Sequence, residues 1–128
     1  MRNLQAVTDT YNGLNALCFG GRLRPCLIRL APSIVNEHGQ RLAGAWNQED
    51  WSIGIDSALL DYPRLLVGTL LHEMTHQECW QQDRIAGHGP FFVAAASRVA
   101  ALLDIPAPTS NTASTWPYPV PRQLLKEF

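Results

Sequence analysis

Leu70-Leu71-His72-Glu73-Met74-Thr75-His76 is the stretch from which the rest of the chain can be read. On a helix, residues four apart lie one turn apart on one face, so the imidazoles of His72 and His76 can reach a single ion. Glu73 lies about 100° round the helix from His72, where its carboxylate can hold a water against that ion. Leu65, Leu66, Val67, Leu70, Leu71 and Met74 surround much of the same helix, which predicts that it is central and buried. A buried carboxylate is costly without a partner. A cation reached through water supplies one, whereas two satisfied core histidines would not.

Working outward, Asp61-Tyr62-Pro63 reads as the start of this helix, with a capping carboxylate and an early proline. Before it lie three expected strands. Cys26 to Leu30 is a short apolar run between Pro25 and Pro32. Leu42 to Trp46 contains Gly44, the mark of a bulge or a close backbone approach. Trp51, Ile53 and Ile55 alternate with Ser52, Gly54 and Asp56, as in a half-buried strand. Polar turns at Asn36-Glu37-His38-Gly39 and Asn47-Gln48-Glu49-Asp50 join them into an antiparallel meander.

Helices are expected on either side. Leu4, Val7, Tyr11, Leu14 and Cys18 predict one over residues 3–18, ended by Gly20-Gly21. Pro90 opens another, with Phe91, Phe92, Ala95, Val99, Leu102 and Leu103 as its apolar stripe. The fold class is therefore α+β, a small antiparallel three-stranded sheet packed with about three helices. From Asp104 the composition changes: Pro106, Pro108, Pro117, Pro119 and Pro121, with serines and threonines, make an extended tail that Trp116 and Tyr118 can pin to the body.

Whole-chain properties limit the partners. A length of 128 residues gives room for one domain, and 46% hydrophobic with 16% charged residues is a globular composition. The formal charge is −1, and the ten cations are nine arginines and one lysine, so no strongly basic field draws in nucleic acid. Arg22, Arg24 and Arg29 form the one cationic cluster, with Arg41 a candidate neighbour, and a nucleic-acid face would have to be built there. Three cysteines, Cys18, Cys26 and Cys79, are an odd number without a C-x-x-C pair and read as free thiols. No apolar run approaches a membrane span, and Met1-Arg2-Asn3 leads into an amphipathic stretch, so a cytoplasmic setting without a membrane partner is expected.

The third ligand decides the chemistry. Cys79 lies one turn beyond His76, but His88, between Gly87 and Gly89, has the better setting: its glycines permit tight backbone geometry around an imidazole. His72, His76 and His88 are the candidate metal ligands, and Zn2+ is the ion that such a set favours. The H-E-x-x-H pattern is a signature of zinc peptidases for this geometric reason.

In Leu71-His72-Glu73-Met74-Thr75-His76 and Gly87-His88-Gly89-Pro90-Phe91-Phe92, with eleven residues between the last two histidines, the chain resembles the SprT-like family of zinc metalloproteases, which includes the Spartan-type proteases. Tyr11-Asn12-Gly13-Leu14-Asn15 and Phe19-Gly20-Gly21-Arg22-Leu23 extend the resemblance upstream, and it covers about residues 8 to 103. Metzincins place the third histidine much closer. The resemblance implies a zincin-like fold, with residues 1–103 as the metalloprotease domain and residues 104–128 as the tail. It implies that His72, His76 and His88 bind zinc and that Glu73 is the catalytic base acting on protein or peptide substrates. Family members often continue into a cysteine-rich zinc ribbon or a basic DNA-binding extension; here a proline-rich stretch with one lysine and no cysteine follows.

Around this core other roles are open. Asp83 can orient a ligand imidazole or be a solvated residue at the helix end, and Trp80 reads as packing. Arg84, Arg98, Tyr62 and Tyr118 are unranked candidates for stabilising an oxyanion. Either the second or the third strand can be the edge that pairs with substrate. The rival readings are a repressor-cleaving regulatory peptidase of the ImmA/IrrE kind and a non-catalytic zinc-stabilised binding module.

Overall fold

Asn3 opens the first helix by accepting a hydrogen bond from the Ala6 amide, and α1 runs Leu4–Phe19. Gly20, at φ 59°, closes it in the left-handed conformation that a side chain resists. The computed structural model describes residues 1–128. Five strands follow: β1 Leu27–Ala31, β2 Ile34–Val35, β3 Arg41–Leu42, β4 Gly44–Asn47 and β5 Ser52–Asp56. Two further helices, α2 Pro63–Asp83 and α3 Pro90–Leu103, precede the C-terminal segment.

The class is α+β, but the sheet is not a simple meander. Its order is β1-β5-β4; β4 pairs with β5 antiparallel, whereas β1 pairs with β5 in parallel, Leu27 opposite Ser52 and Ala31 opposite Asp56. The expected turn at residues 36–39 instead closes a separate two-stranded hairpin, β2-β3. Inserting that hairpin between β1 and β4 supplies the crossover that a parallel pair needs. Burial explains the order. β5 places Ile53 and Ile55 in the core and takes the centre, while β1 carries Arg29 and an exposed Leu27 and serves as a charged edge.

The start of the central helix also differs from expectation. Asp61 does not cap it: Ser57–Asp61 form a 3-10 turn capped by Asp56, and α2 begins at Pro63 after an uncapped Tyr62. The helix is buried on most sides, from Leu66, Val67 and Leu70 through Met74 to Cys79. Gly44 lets β4 lie directly on it. A Cβ there would come within 2.7 Å of Thr69 Cγ2 and 2.9 Å of the Gly54 carbonyl oxygen.

Buried polar groups join the elements. Tyr11 donates to Gln77 Oε1 at 2.8 Å, and Gln77 Nε2 donates to the Arg24 carbonyl at 2.7 Å. Asn15 bonds both the amide and the carbonyl of Leu23. Glu78, 3% exposed, is bonded by Arg22 at 3.4 Å and more closely by Arg98 of α3. Ala113, Trp116 and Val120 of the C-terminal segment lie in the same buried cluster as the helices. No helix is long and apolar enough to cross a membrane.

Candidate metal centre

The turn spacing on α2 puts His72 and His76 side by side, and the loop before α3 brings His88 to them. Their Nε2 atoms form a triangle with edges of 3.0, 3.1 and 3.2 Å. Phe92, buried at the start of α3, packs against all three rings, with centroids 4.5 to 5.0 Å away. Gly87, at φ 86°, turns the chain so that His88 faces α2.

Protonation fixes what this triangle can hold. The Nδ1 of His72 faces the carbonyl oxygen of Trp116, which can only accept, so Nδ1 carries the proton and Nε2 a free lone pair. Three mutually adjacent nitrogens cannot alternate donor and acceptor round an odd ring. At least one edge therefore sets like against like, and a cation at the centre removes that conflict. Burial pushes His72 down to about 4, a shift that the Trp116 carbonyl opposes and the nearness of His88 increases. Burial and the two neighbouring imidazoles push His76 down to about 3, and burial lowers His88. All three imidazoles are neutral near pH 7. Edges of roughly 3.3 Å are what four-coordinate zinc–imidazole bonds require, so the group could hold a metal ion with little adjustment.

Glu73 lies beside this cluster, 7% exposed. Its Oε1 accepts the main-chain N–H of Trp46 at 3.1 Å. Desolvation pushes the carboxyl up to about 8, against the smaller opposing effect of that hydrogen bond.

A cleft of about 690 Å³ opens over these residues. Residues 42–46 form one side, and Ser114 to Tyr118 of the C-terminal segment form the other. β4 is the sheet edge nearest Glu73. Asp56 N–H donates to the Ala43 carbonyl at 2.9 Å, which sets residues 43, 45 and 47 facing β5. Gly44 and Trp46 therefore turn their N–H and C=O groups away from β5, and both residues line the cleft.

Other sequence candidates fall elsewhere. Cys79 stays outside the histidine group, and burial raises its thiol to about 11. Asp83 is exposed and bonds none of the three histidines; the one orienting partner seen is the Trp116 carbonyl, on His72. Arg84 stacks on Trp80 and Arg98 is bonded to Glu78; Tyr62 lies in a neighbouring groove, and Tyr118 alone of the four lines the cleft. Arg22 pairs with Glu78, Arg29 with Asp50 and Arg41 with Asp56, while Arg24 lies over Trp51 at 3.9 Å, so the cationic cluster is largely compensated. The sequence reading missed Trp116 as a hydrogen-bond partner, because any residue offers a carbonyl and only the fold says which one arrives.

Comparison with curated proteins and with solved structures found no match. The model of the SprT-like family matches residues 7–113, a stretch that includes most of α1, the whole sheet, His72, Glu73, His76 and His88. On that match, the chain belongs to the SprT-like family.

Proposed function

We propose that this chain is a zinc-dependent metallopeptidase that hydrolyses protein substrates. The carrying observation is the convergence of three neutral imidazoles within 3.2 Å, next to a buried carboxylate on the helix that carries His72 and His76. In this reading His72, His76 and His88 hold zinc, and the absence of a fourth side chain from the group suits a catalytic site more than a closed structural one. When bound, the ion supplies a Lewis acid that polarises the scissile carbonyl and acidifies water.

Glu73 then has the base's task. It accepts a proton from the attacking water and returns it to the departing amine. Burial alone raises this carboxyl, and a cation held beside it by the three histidines would favour the ionised form that the base's task needs. The Trp46 amide fixes one carboxylate oxygen and leaves the other for the water. An extended substrate can add to β4 through the outward main-chain groups of Gly44 and the Trp46 carbonyl, which requires an unfolded or flexible segment of the substrate protein.

Zinc content and cleavage of labelled casein by the parent and by Glu73→Gln test the reading. Both should carry about one zinc per chain, and the variant should lose at least a hundredfold in cleavage, because the ligands stay and the base goes. Equal cleavage by the variant would remove Glu73 from the mechanism. A zinc-loaded parent that cuts neither casein nor itself would favour the non-catalytic binding module.

A further inference from the structure

The family match ends at residue 113, yet the partner of a candidate metal ligand lies beyond it, at Trp116. Two anchors hold that carbonyl in place. On one side, the Trp116 ring is 6% exposed, stands edge-on to Phe92 at 6.4 Å and donates through Nε1 to the Pro106 carbonyl at 2.9 Å. On the other, the buried Val120 accepts from Arg64 Nε at 2.7 Å and donates its N–H to the Arg64 carbonyl at 3.4 Å.

Between the anchors, the chain crosses α2 at Gly68, one turn before His72. A Cβ there would stand 3.1 Å from the Pro117 carbonyl oxygen and 3.7 Å from Val120 Cγ1, so the bare helix face is what lets the segment lie this close.

We propose that residues 114–121 are a positioning element of the metal centre, with the Trp116 carbonyl holding His72 in its ligating tautomer. This rests on the reading of His72, His76 and His88 as metal ligands. An imidazole whose far nitrogen is free to rotate, or to take the proton on Nε2, presents the wrong atom to an ion; a carbonyl on Nδ1 prevents both. Docking of the segment and metal binding are then linked. By reciprocity, the factor by which docking tightens the metal is the factor by which the metal tightens docking. The same segment also forms one wall of the cleft, so a loosened tail would widen the substrate channel as it weakens the metal.

The test uses the full chain. Gly68→Val wedges the segment off the helix, Val120→Ser removes its apolar anchor, and Phe128→Ala disturbs only the far end, where Phe128 packs over Gly13. Zinc affinity is read by competition with a chromophoric chelator, helix content by circular dichroism. The first two variants should bind zinc about tenfold or more weakly with helix content kept, and Phe128→Ala should match the parent. In the parent, the Val120 amide should exchange about tenfold faster after the zinc is chelated. Parental zinc affinity in folded Gly68→Val and Val120→Ser would overturn the proposal, as would zinc-independent Val120 exchange. If both variants fail to fold, the exchange measurement on the parent decides. A parent that binds no zinc would instead sink the metal reading itself.

Discussion

The main-chain N–H of Trp46 donates to the side chain of Glu73 at 3.1 Å, so the outer strand of the sheet and the central helix meet at the buried carboxylate. The strand that offers its edge to the cleft is thereby also the strand that aims Glu73. Placement of β4 on α2 should affect the edge and the carboxylate together.

Gly44 sets that placement. Gly44→Ala adds a Cβ within 2.7 Å of Thr69 Cγ2 and 2.9 Å of the Gly54 carbonyl, and one of the two elements must give way. We expect a loss of about 1–3 kcal/mol in a urea titration, the usual range for overpacking. Thr69→Ser in the same chain removes the methyl contact but not the carbonyl one, so it should restore part of the loss and not all. Full stability in Gly44→Ala alone would show that β4 does not sit this close to α2.

Glu78 gives a second prediction, because its carboxylate is buried while both of its arginines are partly exposed. Arg98→Ala removes the closer partner and leaves a buried charge with one longer contact, which should cost about 3 kcal/mol. Arg22→Ala should cost under about 1 kcal/mol, since Arg98 remains. Glu78→Gln in the Arg98→Ala background removes the unpaired charge and should recover stability. Equal effects of the two arginine changes in thermal unfolding would mean that the ion pairs are interchangeable surface contacts.

How much of this was legible in the sequence depended on whether the controlling interaction was local. The approach of His72 to His76 follows from one helical turn, and His88 announced itself through the glycines beside it. Gly44 was legible as a close approach, though not what it approached. The pairing of β1 was not legible. Cys26 to Leu30 has the same alternation whether its neighbour runs parallel or antiparallel, and the choice was made by the hairpin between β1 and β4 and by burial of Ile53 and Ile55. Asp61 looked like a helix cap because local chemistry allows it, but Asp56 capped a short turn first and moved the helix start to Pro63. Glu78 and Arg98 are twenty residues apart and resemble ordinary surface charges until α3 folds over α2.

The protonation of Glu73 makes a prediction about the metal-free protein. Its carboxyl is pushed from an ordinary 4.5 up to about 8 by burial. Below pH 4.5 the folded and unfolded chains both hold the proton, so the group does not favour either. Between 4.5 and about 8 the unfolded chain releases the proton while the folded chain keeps it, and stability falls as pH rises through that window. His72 and His76 act in the opposite sense, losing stability as pH falls from 6.5 towards about 4 and about 3. Those histidine effects are common to the parent and to Glu73→Gln, so a comparison of the two isolates the carboxyl. Without metal, Glu73→Gln should be within about 1 kcal/mol of the parent at pH 5 and more stable by up to about 5 kcal/mol at pH 8.5. The amide oxygen of glutamine can still accept from Trp46, so the strand contact is retained and the difference reports charge. A gap between the two proteins that does not change with pH, measured by denaturant unfolding after chelation, would show that the carboxylate ionises in the folded chain as it does in water.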